Sequence, residues 1–205
     1  DRPGSAAHSL QRLRDALEWY PDDLWRHVIA CDWQRLDQEL PLMSRAGERG
    51  DDLGSRVVAA RLVDVAMHLG YVLSRTWAPY SKWRGTLFGA LPGTAAIANE
   101  LATVLAADHW QGRQDALGAA LTHLGDLQER AGLPGARPIV EPFWDRPFLH
   151  IAPQLQTTLR NGIVDPRVRA LTHGVGSIEQ LTDTVDVLVR PSRRRALVAA
   201  TLATT

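Results

Sequence analysis

The sequence predicts an all-α fold, an irregular bundle of about seven to nine helices broken by one long ordered loop. Three observations predict it. Apolar residues recur at spacings of three and four through most of the 205 residues. Gly50, Pro79, Pro92-Gly93, Gly132 and Pro134-Gly135 fall between those runs, as helix boundaries require. No stretch of useful length alternates apolar and polar residues as a half-buried strand would. The whole of 1–205 reads as a single helical domain, with 1–8 a linker remnant because D-R-P-G-S is rich in breakers.

The elements follow in order. Leu10, Leu13 and Leu17 stand at i, i+3 and i+7 behind Ser9, a suitable N-cap. Pro21 suits a first helical position, and Asp22 and Asp23 suit the positive end of the helix dipole. Trp25, Ile29, Trp33, Leu36 and Leu40 then form one buried face, and Pro41 is expected to kink or end that helix. A long apolar helix spans about 53–75 after Gly50-Asp51-Asp52. A short helix is expected at 83–91, stopped by Pro92-Gly93, and another runs from Thr94 through Ala107. Residues 110–131 place Leu117, Leu121, Leu124 and Leu127 inward, and Gly132 closes that helix. Residues 133–153 hold five prolines and P-F-W-D-R-P-F. They read as an ordered loop within the domain, since Phe143, Trp144 and Phe148 gain by leaving water. Shorter helices are expected near 154–162, 177–189 and 192–202, the last capped by Ser192. Val185–Val189 is the one stretch that also reads as a short strand.

Composition narrows function by exclusion. Lys+Arg and Asp+Glu each number 23, so the formal net charge is zero. General binding to DNA or to a membrane surface, which rests on positive patches, is disfavoured. No apolar run approaches the ~20 residues of a membrane span, and no signal-peptide pattern opens the chain. One cysteine, Cys31, cannot form an internal disulfide, which fits a reducing, cytoplasmic setting. No H-E-x-x-H, paired cysteines or dense His/Asp cluster suggests a metal. G-V-G-S-I-E from Gly174 lacks the third glycine of a dinucleotide fingerprint and reads as a turn with Ser177 as cap.

Two constellations carry chemistry. Arg61, Asp64 and His68 stand at i, i+3 and i+7 on the long helix, with Arg75 one heptad beyond His68. They share a face. That face is a solvated stripe, or holds an internal Arg61–Asp64 ion pair, or is the polar floor of a cleft in which Arg61 and Arg75 offer forked donors to an anion. The second constellation is P-Y-S-K-W-R at 79–84. Lys82 is the only lysine among the 23 basic residues. A compact ammonium with three donors suits a phosphate oxygen in a tight place, and Tyr80 and Trp83 could wall a base. Lys82 is otherwise a surface residue, and the two aromatics are otherwise core.

Arg61 and His68 also form R-x6-H, a spacing that resembles the motif of the helical HEPN-class ribonuclease toxins. Y-P-D-D-L-W-R-H-V-I-A-C-D-W-Q-R-L, R-A-G-E-R-G-D-D-L-G-S-R-V-V-A-A-R-L-V and A-P-Y-S-K-W-R-G-T-L-F, with P-F-W-D-R-P-F-L-H-I and T-D-T-V-D-V-L further on, resemble a second family over 10–200. It is a bacterial helical domain of unknown function that follows a nucleotidyltransferase-fold domain. A more distant similarity is to the helical second domain of aminoglycoside adenylyltransferases. These resemblances imply a helical substrate- or nucleotide-binding domain whose partner, a nucleotidyltransferase domain in the same or a separate chain, supplies the catalytic carboxylates and Mg²⁺. This chain shows no such carboxylate set and no confident catalytic residue. The adenylyltransferase likeness implies that Arg61 and Lys82 meet the phosphates of a nucleoside triphosphate and that Asp51 meets a small-molecule substrate; the polar helix stripe and the aromatic turn add Arg75, Tyr80 and Trp83 to the nucleotide side and Asp64 and His68 to the substrate side. The alternatives are a ribonuclease using Arg61 and His68, and a purely structural or interaction module.

Overall fold

A computed structural model describes residues 3–202. Its frame is a helical hairpin. Helix α1 (Pro3–Ala16) leads into α2 (Asp22–Glu48), which turns at Gly50 into α3 (Asp52–Leu73). Gly50 takes φ +82, where a side chain would be strained. Asp51 caps α3 by accepting the Gly54 N–H at 2.8 Å. A one-turn 3₁₀ helix (Ser81–Trp83), α4 (Arg84–Ala90), α5 (Ala95–Ala106) and α6 (Trp110–Arg130) follow. Strands β1 (Val140–Pro142) and β2 (Leu149–Ile151) come next, then α7 (Pro153–Asn161), α8 (Pro166–Arg169), α9 (Ile178–Leu181), α10 (Val185–Leu188) and α11 (Pro191–Leu202).

The core lies where α2, α3 and α6 meet. Trp33, Leu36, Leu40, Ala66, Leu69, Leu117, Leu121 and Leu124 are all fully buried there. Each large side chain contributes ~1.5–3 kcal/mol by leaving water. Two indoles fix register as well as fill space. Trp33 Nε1–H donates to Gln128 Oε1 at 2.7 Å, and Trp25 Nε1–H to the Val72 carbonyl at 2.7 Å. Arg113 is also buried, with its guanidinium donating to Ser55 Oγ, the Ala107 carbonyl and Asp52.

The architecture is the expected all-α bundle, with corrections. The described residues hold eleven helices, more than the expected seven to nine, because the C-terminal part divides into one-turn pieces and α8 was not foreseen. Helix α1 starts at Pro3, so Ser9 lies inside it rather than capping it and residues 3–8 are helical, while residues 1–2 of the expected linker lie outside the described residues. Leu10, Leu13 and Leu17 stay exposed. Pro41 sits buried within α2 without ending it. Leu40 and Met43 on either side are fully buried, and that packing outweighs one lost backbone hydrogen bond. The loop at 133–153 contains a short antiparallel hairpin, Val140 opposite Ile151 and Pro142 opposite Leu149. Phe148 packs on Trp110, whereas Trp144, at the hairpin turn with φ 64, is 84% exposed. Val185–Leu188 is helix, not strand, and Ser192 lies inside α11.

Candidate functional site

The 79–84 turn is held from below. Phe88 packs against Gly70 and meets Tyr71 edge-on at 5.6 Å, and the Tyr71 hydroxyl donates to the Arg84 carbonyl at 2.7 Å. With α4 anchored on α3, the 3₁₀ turn before it points Tyr80 and Ser81 into a cleft of about 460 Å³. Asp64 of α3 and Arg84 form one wall of that cleft. Glu179, Asp183 and Val185 of the C-terminal segment and Arg194 of α11 form the other. Arg84 donates through Nη1 to Asp64, while its buried Nε has no partner.

Lys82, on the same turn, is exposed and has no carboxylate partner among the described residues. Its Nζ lies 5.0 Å from the centre of the Trp83 ring, a cation–π contact. Lys82 itself does not line the cleft. Arg61 belongs to an adjoining cleft, also about 460 Å³, which shares Asp64, Glu179, Thr182 and Asp183 with the first. Its guanidinium clasps Glu39 Oε2 at 2.6 and 2.9 Å. The ion pair expected between Arg61 and Asp64 is replaced by Arg61–Glu39 and Arg84–Asp64, because each long arginine finds its acid on a neighbouring element. Lys82 and Arg61 therefore line no common cleft.

The other sequence-predicted residues have structural partners. Asp51 caps α3. Arg75, at φ 48, donates to Asp22 at 2.6 Å and stacks 4.0 Å over the Trp25 ring. Asp22 is held below the usual carboxylate range by the hydrogen bond from Arg75 and then by its charge. His68 is buried, and its Nδ1–H donates to Asp32 Oδ2 at 2.7 Å. Burial opposes a charge on that ring, but the Asp32 carboxylate and its hydrogen bond outweigh burial and raise the pKa overall. Arg61 and His68 open on different surroundings, one at the surface and one in the interior.

Gln180 was not singled out in the sequence, although it holds the cleft wall in place. Its side-chain amide donates to Asp32 Oδ1 at 2.7 Å and to the Val28 carbonyl at 2.9 Å, while its Oε1 accepts the Ser177 N–H at 2.8 Å. The expected Ser177 cap is thus the start of α9. A Ser/Gln pair at that spacing was the one available signal. Burial, then the negative charge of Asp32, pushes the Cys31 thiol up to about 12, which leaves it unreactive. Among the described residues no group of three or more His, Cys, Asp or Glu could hold a metal ion.

Residues 5–84 match a domain of unknown function (DUF4037). The matched segment runs from α1 through the 3₁₀ turn and contains all eight sequence-predicted residues, from Asp51 to Trp83. It is shorter than the 10–200 over which the sequence resemblance was read. No curated protein and no solved structure matches the chain. Among the described residues no helix is long and apolar enough to cross a membrane.

Proposed function

We propose that the chain is the ligand-binding helical domain of a nucleotidyltransferase-like protein, and that the ligand is a nucleotide bound at the 79–84 turn. One observation carries this reading. The only lysine in the sequence, paired with no carboxylate among the described residues, sits on the turn whose neighbours Tyr80, Ser81 and Arg84 open into a polar cleft. Lys82 meets a phosphate oxygen as a point charge, and the guanidinium of Arg84 lines the adjoining cleft. Tyr80, 61% exposed, gives a face for a base. Arg61 and Arg75, already clasped by acids, act by holding the helices rather than the phosphate.

A separate nucleotidyltransferase domain, in the same or another chain, supplies the carboxylates and the Mg²⁺ that transfer requires. This chain binds and orients. The resemblance to aminoglycoside adenylyltransferase second domains supports an amine-bearing acceptor, for which Glu179 and Asp183 on the cleft wall offer acids. No observation favours the ribonuclease reading, since His68 is enclosed with Asp32. Calorimetry with ATP and the other nucleoside triphosphates tests the proposal. Binding that shifts the amides of 79–84 supports it. Absence of binding both to the chain alone and to the chain with its catalytic domain overturns it.

A further inference from the structure

A cavity of about 760 Å³ shares no lining residue with the 79–84 cleft. It lies between α2, α7 and the α8 segment. Arg160 and Arg169 reach into it, and neither pairs with a carboxylate among the described residues. Arg169 donates to the Ile163 carbonyl at 2.6 Å, and Arg160 donates to Nδ1 of His173. A guanidinium only donates, so His173 must accept at Nδ1 and carry its proton on Nε2. The one carboxylate in the lining, Asp37, accepts the Ile151 N–H at 2.9 Å. His27 forms the back of the cavity, fixed by its Nε2–H to the Val175 carbonyl at 2.8 Å.

We infer that this cavity binds a phosphomonoester of a small hydroxylated molecule, its dianion held between the guanidinium groups of Arg160 and Arg169 with His173 Nε2–H as a further donor. Two forked donors facing one space match the geometry of a phosphate. The cavity volume falls in the ~300–1,000 Å³ range of small-molecule sites. Gln156, Thr157 and Asn161 along α7 offer groups for hydroxyls. The site also accounts for an otherwise unfavourable arrangement. Burial first, then the charges of Arg160 and His27, keep the His173 pKa below its ordinary value, so a further positive charge beside Arg160 is disfavoured. Arg160, Arg169, His27 and Asp37 are the charged and titratable groups facing His173 across this space.

Titrations of glycerol 3-phosphate, inorganic phosphate and ATP, read by calorimetry and by the imidazole NMR signals of His173, test the inference. Glycerol 3-phosphate is expected to bind and to move the His173 titration upward. The double variant Arg160→Gln, Arg169→Gln should weaken that binding at least about tenfold, with unchanged circular dichroism. Arg169→Gln alone removes an exposed side chain and serves as the milder variant. ATP binding at the 79–84 turn should respond to Lys82→Ala and not to these variants, so the two proposals fail separately. Glycerol 3-phosphate that leaves His173 unmoved at millimolar concentration overturns the inference, as does binding indifferent to both arginines. Inorganic phosphate bound as tightly as the ester overturns the ester assignment.

Discussion

Asp32 on α2 and His68 on α3, 36 residues apart, meet at 2.7 Å in the interior, and the second oxygen of Asp32 receives Gln180. One buried carboxylate thus ties the helical hairpin to the C-terminal segment that walls the candidate cleft. Both partners come from elements that packing alone would leave free to slide.

Asp32→Ala is expected to cost about 3–5 kcal/mol, since it strands a buried imidazole and a buried amide. Urea unfolding measures the loss. Hydrogen exchange should show residues 177–181 opening ahead of α2 and α3. Unchanged protection of 177–181 would mean that Gln180 does not anchor that segment through Asp32.

The same pair sets a pH dependence. The pKa of His68 is raised on folding, so its protonated form is favoured in the native state. That contribution is fully present below the ordinary imidazole value and is lost as pH rises through the raised folded value. His68→Asn keeps a donor for Asp32 but cannot titrate. Melting curves across pH should show wild type ahead of the variant in acid, with the gap shrinking as pH rises. A gap that widens with pH contradicts the assigned charge state.

Two glycine substitutions separate packing from backbone preference. A Cβ on Gly47 would fall 2.2 Å from Trp110 Cβ, where α2 crosses the start of α6. Gly47→Ala should cost about 1–3 kcal/mol. Gly85, in α4, has nothing within 4 Å of an added Cβ, and Gly85→Ala should gain up to ~1 kcal/mol. Chemical denaturation of both variants checks the contrast.

At the proposed nucleotide site, Lys82→Ala should weaken ATP about tenfold, equivalent to ~1.4 kcal/mol. Lys82→Arg should restore only part of this, because a planar fork replaces a point charge. Arg61→Ala should change ATP affinity less than Lys82→Ala does, since Glu39 already holds that guanidinium. Calorimetry ranks the three, and a larger loss from Arg61→Ala would move the phosphate to the adjoining cleft.

Arg113→Lys tests whether a buried fork is needed where α6 meets the start of α3. The lysine keeps the charge but cannot reach Ser55, Ala107 and Asp52 together. The expected cost is about 1–3 kcal/mol, from unsatisfied buried groups, and thermal melting reads it.

Helical spacing alone determined the bundle, its inward faces and most helix limits. Trp25, Ile29, Trp33, Leu36 and Leu40 are buried as their positions require, because a 3.6-residue period turns spacing directly into a face. The sequence also singled out the 79–84 turn by its one lysine. Tertiary structure decided which charges are free. Arg61, Asp64 and His68 share a helix face, yet Glu39 and Asp32 of α2 and Arg84 of α4 take one each. Ion pairs between distant elements have no period, so nothing in the local pattern signals them. Only packing could put Arg160, Arg169 and His173 around one cavity, and leave Lys82 without an acid.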